Sequence, residues 1–531
     1  MGFAHPQVKV MSVSREVELK LELPIAKVAR LLERSFNRLR GNTGIKQHLV
    51  SVYFDTRKHA LRKKGLTVRI RSDGKRRVQT IKAVDTASAC IFDRLEWETK
   101  IKGDKLDLIA AARTPVGDVL HGSRASKLLA PIFKTVVDRT TWNVKQGGSE
   151  IEVALDEGRV LAHGSTQPIA ELELELKRGS PTDLFALARS LDCVKGLAIG
   201  VLSKSERGYA LADGDEPSSF KAEQIALGAH LSAAEAFQNI ARACIRHFRL
   251  NEPLLIARRS AEPLHQARVA IRRLRSALSL FEPVVTDRKY EQLKRRLRDV
   301  SHQFGEARNL DVYIAHTPVP GVDNGGQLPP FALKPVGQAQ AERERAYERV
   351  INTLQSKRCR QLIQDLVAWI QAGPWRTSDE PDSQTARDQN IEDFAACVLK
   401  RHRRKLKRHG LHLERLSPEE RHRIRIEAKK LRYASEFFSD LFAGRKHRKR
   451  YRAFIDALGD LLARLGDLND IDNEHKIAAE LASHKATSAS RSRARHAAAA
   501  QLGNQNKRAA ALLISTCEAH KRFLDAKPFW K

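Results

Sequence analysis

From Glu16 to Leu21 the chain alternates charged and apolar side chains one for one, so an extended strand puts Glu16, Glu18 and Lys20 on one face and Val17, Leu19 and Leu21 on the other. The same alternation returns in Glu171, Glu173, Glu175 and Lys177 between leucines, in Arg69 and Arg71 around Ile70, and in Arg94, Glu96 and Glu98 around Leu95 and Trp97. One such strand is ordinarily half of an amphipathic sheet with a wet outer face. Several together are not, because like charges side by side on one face repel unless cations or bases offset them. Closing the sheet into a barrel resolves this: the ionic faces line a lumen and the apolar faces pack outward against helices. Carboxylates in such a lumen suit a hard divalent cation, and the lysines and arginines suit phosphate oxygens.

Beyond about residue 220 the period changes. Apolar residues fall three and four apart over long stretches, the spacing of helices. A chain of 531 residues also exceeds a single core. The expected architecture is α+β multidomain: a β domain over 1–215, a linker at 216–225 beside the acidic, proline-bearing run DGDEPSS (Asp213 to Ser219), and an all-α domain over 226–531. The segments His316 to Pro330 and Gly373 to Gln384 read as loops, and Ser483 to His496 as a solvated helix or a flexible connection.

Lys and Arg number 95 against 63 Asp and Glu, a net charge of +32. Residues 1–220 hold 37 of those bases and 27 of the acids, so +10 lies there and +22 in the remainder. An excess of this size calls for a polyanion: nucleic acid, an acidic membrane surface, or phosphate chains, which charge alone does not separate. No run is long and apolar enough to predict a membrane span, and the opening MGFAHPQVKVM lacks the apolar core of a secretory signal, so a cytoplasmic protein is expected. Six cysteines without a CxxC pair predict reduced, mostly buried thiols and neither a disulfide framework nor a zinc site.

In the helical half, His265, Arg268, Arg272 and Arg275 form one basic stripe, and His422, Arg425, Lys429 and Arg432 repeat it 157 residues on. Tyr290, Gly305 and Asp311 recur as Tyr451, Gly466 and Asp472 at a shift of 161, so this half is an internal duplication, about 226–370 and 388–531. Like charges at i and i+4 cost a few tenths of a kcal/mol per pair, and a stripe kept twice points to an anion that offsets the cost. Seven Tyr and five Trp, with Tyr433 alone among them within the basic helices, leave little for base stacking, which disfavours nucleic acid as the partner.

EVELK (Glu16 to Lys20) resembles the ExExK signature of the CYTH, or triphosphate tunnel metalloenzyme, superfamily. YFDT (Tyr53 to Thr56), LTVRIR (Leu66 to Arg71), QTIK (Gln79 to Lys82), RLEWE (Arg94 to Glu98), Arg139, IEVALDEG (Ile151 to Gly158), ELELELK (Glu171 to Lys177) and SKSERGY (Ser203 to Tyr209) follow in the family's order. The resemblance implies an eight-stranded antiparallel tunnel that hydrolyses triphosphate-containing substrates with Mg²⁺ or Mn²⁺. By carry-over, Glu16, Glu18 and Lys20 are the catalytic set. Arg69, Arg71, Lys82, Arg94, Arg139 and Lys204 bind substrate, and Glu16, Glu18, Glu171 and Glu173 serve metal. Glu96, Glu98, Glu152 and Asp156 are further lumen candidates. Inorganic triphosphate is the expected substrate, with an organic triphosphate such as thiamine triphosphate or ATP, or an inactive tunnel in a polyphosphate-binding or granule-targeting protein, as the alternatives.

The duplicated helices resemble the CHAD domain, an all-helical module of two similar halves that often follows CYTH. The resemblance implies binding of inorganic polyphosphate, and association with polyphosphate granules, through His265, Arg268, Arg272, Arg275, Arg308, His422, Arg425, Lys429 and Arg432. The second copy departs from the first at Glu427, where the first has Ala270, and at Asn469, where the first has Arg308, so a weaker grip is expected there.

Overall fold

The computed structural model describes residues 12–23, 33, 44–74, 76–83, 91–120, 129–191, 194, 196–316, 330–442, 444–483 and 490–531. Its contacts divide the chain into two units, Met1–Lys221 with Ile245–Leu254 and Gln355–Gly373, and Ala222–Cys244 with Leu255–Leu354 and Pro374–Lys531.

The first unit is built on β1 (Ser12–Glu22), β2 (Ile45–Asp55), β3 (Leu66–Asp73), β4 (Arg76–Ala83), β5 (Ile91–Ile101), β6 (Ala130–Gln146), β7 (Ser149–Ala162), β8 (Ser165–Arg178) and the two-residue β9 (Ala198–Ile199). The strands run in the order β5-β4-β3-β2-β6-β7-β8-β1-β9, and β1 also pairs with β5. That last pairing closes β1 to β8 into an eight-stranded antiparallel barrel, as the alternation predicts. One strand makes both closing seams: Ser12 to Leu19 lie against β5 and Glu18 to Glu22 against β8. Gly147 and Gly148 both take positive φ between β6 and β7, the backbone that a two-residue hairpin turn needs.

The apolar half of each strand faces outward and is covered. Leu19, Leu21, Leu172 and Leu174 are wholly buried. Trp97, Ile81, Val68 and Leu66 pack with Leu61, Ala111 and Val116 from the connections, whereas Tyr53, Phe133, Val137 and Ile169, on the inward face with Arg69, Arg139 and Glu171, pack with Tyr209. Each fully buried side chain of this size gains roughly 1.5–3 kcal/mol, which offsets the cost of enclosing charge on the other face.

Two helices bear on the lumen's surroundings. Ser180 caps α1 (Pro181–Ser190) by accepting from the Thr182 N–H. Ser203 and Glu206 form a capping box at the start of α2 (Lys204–Asp213). Buried Asp55 accepts from the backbone N–H of Thr56, Leu61 and Arg62 and from the Tyr209 hydroxyl, at 2.7 to 3.0 Å, and so ties α2 to the end of β2. Gly208 lies so close to Phe133 that a Cβ there would stand 2.0 Å from the ring.

The second unit is helical, with α3 (Ala233–Arg258), α4 (Ala261–Leu280), α5 (Tyr290–His316) and α6 (Pro330–Gln355) in its first half. Ile245–Leu254 of α3, and α7 (Lys357–Ala372), group with the first unit. The second half holds α8 (Ile391–His409), α9 (Pro418–Phe437), α10 (Arg445–Ser483) and α11 (Ser490–Asp525). The duplication meets itself in the core. Phe237 and Phe394, and Phe281 and Phe438, are each 157 residues apart; Phe281 stacks on Phe394 at 4.7 Å and lies 5.9 Å from Phe438. Residues 317–329 and 484–489 of the expected loops lie outside the described residues. Gly373 to Gln384 instead contains a helical turn at Pro374–Arg376 and the start of a short helix, Pro381–Asp388. Cys244 and Cys359 are buried and unbonded, but Cys397 is exposed and Cys517 half-buried, a correction to the expectation of buried thiols; Cys90 and Cys193 lie outside the described residues.

Candidate active site and basic helical cluster

Strand register, more than any loop, assembles the lumen. Glu16 stands opposite Arg94, Lys20 opposite Glu173, Lys82 opposite Glu96, Arg139 opposite Asp156, and Arg69 opposite Tyr53. The cavity, about 260 Å³, is lined by all three charged residues of EVELK, by Arg69, Arg71, Lys82, Arg94, Arg139 and Lys204, and by Glu96, Glu98, Glu152 and Glu173. Every predicted catalytic and substrate-binding residue of the first unit therefore faces one enclosed space. Tyr53 is the one aromatic among the lining residues. Ser203 and Ser205, beside Lys204 at the start of α2, add hydroxyls that the sequence reading missed.

The charges are arranged as interlocking pairs. Glu16 accepts from Lys82 at 2.7 Å and from Arg94 at 2.9 Å, while Arg94 also reaches Glu18 at 3.3 Å. Burial alone would raise Glu16, but Lys82 and Arg94 hold it well below the ordinary carboxylate range. Glu18 goes the other way: burial, then the neighbouring Glu173 and Glu16, push it up to about 7. Arg71 has no such acid beside it, and burial with Arg69 and Arg139 brings it down to about 10. Its Nε reaches only Ser51, at 3.4 Å. The lumen thus holds one strained carboxylate and one poorly neutralised guanidinium, the positions where a cation and an anion gain most.

On the same inward face Asp156, Glu171 and Glu173 bring one carboxylate oxygen each within 4.8 Å of one another. Lys20 donates to Glu171 at 3.1 Å and to Glu173 at 2.8 Å, Lys204 reaches all three, and Arg139 forks onto Asp156 while also donating to Glu173. The burial of Glu171 and Glu173 would raise both, but the two lysines hold them low. Three hard oxygen donors at this spacing fit Mg²⁺ or Mn²⁺, and buried Glu171 Oε2 accepts no hydrogen bond. The cluster holds Asp156 and neither Glu16 nor Glu18: Glu16 bonds Lys82 and its neighbour on the adjacent strand, Arg94, which also bonds Glu18.

In the second unit α4 and α9 pack against one another, and α5 and α10 flank them. Arg268, Arg272, Arg308, Arg425 and Lys429 converge. Burial, then Arg272, Arg425 and Arg308, bring Arg268 down to about 10; burial, then Arg272, Arg425 and Arg268, bring Lys429 down to about 6. His265 is held low by burial and by Arg308, and its Nδ1 is buried without a hydrogen-bond partner. Arg272 donates to the Tyr433 hydroxyl at 2.5 Å, a link from one copy to the other. Of the remaining predicted contacts, Arg275 donates to Ser301 at 3.2 Å, Arg432 to Glu436 at 2.9 Å, and His422 bonds Asn469 at 2.8 Å. Glu427 does not intrude. It lies two residues from both Arg425 and Lys429, hence on the other face of α9, and pairs with His402 at 3.1 Å and Lys430 at 3.3 Å.

Residues 14–209 match the family model of the CYTH domain and residues 239–479 that of the CHAD domain. The two matches follow one another along the chain, CYTH first and CHAD after it. Over 206 residues it is 32% identical to an inorganic triphosphatase of Haemophilus influenzae, covering 38% of this chain and 53% of that protein. The chain thus spans about half the length of the curated relative it matches. Among solved structures, the CHAD domain of the plant Ricinus communis is 28% identical, with a TM-score of 0.48 over 58% of this chain and 97% of the other. A Hippeastrum protein described as having a dominant triphosphatase activity is 18% identical, with a TM-score of 0.30 over 37% of this chain and 95% of the other. No helix among the described residues is long and apolar enough to cross a membrane.

Proposed function

We propose that the first unit hydrolyses inorganic triphosphate to diphosphate and phosphate, and that the second binds inorganic polyphosphate. The observation that carries the first part is the enclosure of Glu16, Glu18 and Lys20 with seven further bases in one small lumen. Arg69, Arg71, Lys82, Arg94 and Arg139 spread around it as a phosphate chain requires, and phosphoryl transfer asks a protein chiefly for positioning and charge neutralisation. Glu18, poised near neutrality, accepts a proton from the attacking water as the water oxygen bonds to the terminal phosphorus and the bridging P–O bond breaks. Lys20 and Lys204 neutralise the departing diphosphate. Asp156, Glu171 and Glu173 would hold Mg²⁺ or Mn²⁺, which supplies charge neutralisation at the phosphate oxygens when bound. A nucleoside or thiamine ring needs a stacking platform, and the lumen offers a single tyrosine. This favours the inorganic substrate over ATP or thiamine triphosphate.

The polyphosphate reading rests on the convergence of Arg268, Arg272, Arg308, Arg425 and Lys429 from both copies of the repeat, where burial and mutual repulsion depress Arg268, Arg425 and Lys429. The decisive experiment measures phosphate release from triphosphate, longer polyphosphate, ATP and thiamine triphosphate with Mg²⁺ or Mn²⁺. Triphosphate should be the best substrate, excess EDTA should abolish turnover, and Glu18→Gln should lower kcat at least about a hundredfold, the scale of a lost general base. Undiminished turnover in EDTA refutes the metal-dependent mechanism, and an organic triphosphate outrunning the inorganic one refutes the substrate.

A further inference from the structure

α8 carries a ridge of charge that neither the lumen nor the central basic cluster uses. Lys400, Arg401, Arg404, Lys407 and Arg408 are all exposed, fall at i, i+1, i+4, i+7 and i+8, and span about 12 Å along the helix. None of the five makes an ion pair with a described carboxylate. The other side of α8 is buried: Phe394, Val398, Leu399 and Leu406 are in the core, and His402 meets Glu427 of α9. Because Glu427 lies on the face of α9 opposite Arg425 and Lys429, the ridge and the central cluster are on opposite sides of the α8 and α9 layer.

A basic helix face is often only a solvated surface, and two observations argue against that here. Lys407 and Arg408, in the last turn, complement the negative end of the helix dipole, but Lys400, Arg401 and Arg404 are mid-helix, gain nothing from it and repel one another. The duplication does not account for the ridge either. At the same offset of 157 that relates Phe237 to Phe394, the first copy has Ala243, Cys244, His247, Leu250 and Asn251, so the bases belong to one copy alone.

We infer that the exposed ridge of α8 is a second phosphate-chain site, engaging a long inorganic polyphosphate that also occupies the central cluster. From Lys400 to Arg408 the exposed positions offer only ammonium and guanidinium groups. With no aromatic among them for base stacking, they offer a ligand chiefly the complement of its charge. This rests on the polyphosphate reading of the second unit and adds to it a dependence on chain length.

The test compares the full chain with a ridge variant, Lys400→Gln with Arg404→Gln and Lys407→Gln, a central variant, Arg268→Gln with Arg425→Gln, and their combination. Binding of tripolyphosphate and of long-chain polyphosphate is followed by calorimetry across a salt series. The ridge variant should keep the parent's triphosphatase rate and tripolyphosphate affinity, lose about tenfold in long-chain affinity, and show a salt slope smaller by about two to three. The central variant should retain weak long-chain binding that disappears in the combination. Unchanged long-chain affinity and slope in the ridge variant overturn the proposal while leaving the reading of the second unit intact; failure of the parent chain to bind any polyphosphate overturns both. Single-stranded DNA of matched charge displacing polyphosphate from the central variant as well as polyphosphate itself would overturn the assignment of ligand.

Discussion

A lysine whose ammonium is depressed to about 6 is neutral at pH 8, and Lys429 is in that state because burial and three arginines, Arg272, Arg425 and Arg268, disfavour its charge. Asp470 pulls the other way without restoring it. An incoming phosphate chain reverses the balance by supplying negative charge beside the amine. The sign is fixed: the free site carries fewer protons than the bound one, so binding takes up protons and weakens as pH rises from about 6 toward 8. Calorimetry at pH 8 in two buffers of different ionisation enthalpy should report uptake of about one proton per site. Lys429→Arg, which keeps the charge permanently, should bind polyphosphate with little proton uptake and a flatter pH profile. Equal uptake in parent and variant would assign the proton elsewhere.

At the scale of elements, α2 is the piece whose placement the lumen depends on. It carries Lys204 into the carboxylate cluster and is fixed by Tyr209 on Asp55 and by the contact of Gly208 with Phe133. Gly208→Ala should force the helix off β6, destabilise the first unit by about 1–3 kcal/mol and raise KM for triphosphate more than it lowers kcat. Asp55→Ala, which strands three backbone N–H groups and a hydroxyl, should cost about 3 kcal/mol or more in thermal or denaturant unfolding. Much of this architecture was legible in advance. Alternation placed Glu16, Glu18 and Lys20 inward because a strand has only two faces, and the doubled His and Arg spacing marked α4 and α9. Register was not legible, so the joining of Asp156 to Glu171 and Glu173 needed the pairing of β6, β7 and β8. Nor did spacing along a helix reveal that Arg275, Arg432 and His422 bond Ser301, Glu436 and Asn469. Glu427 could have been read correctly: two residues from each of its basic neighbours, it was bound to face away.

For the whole molecule, the uneven division of charge predicts two salt responses. Of the net +32, +22 lies beyond residue 220. Polyphosphate binding, which releases counterions, should weaken at least about a hundredfold between about 50 and 200 mM salt. The KM for triphosphate should move far less, because pairs shut inside the lumen are screened poorly by added ions. Parallel changes in both quantities would place the two anions in one site.

The double seam of β1 also has a temporal meaning. Glu18 and Lys20 find their β8 neighbours, Glu175 and Glu173, only when more than 150 further residues have been made. Pairings so distant in sequence form late, after local hairpins such as β6 with β7. A nascent chain arrested before β8 would expose the acids and bases of an open sheet to water, so β1, made well before its β8 partner, is among the last strands to become chemically competent.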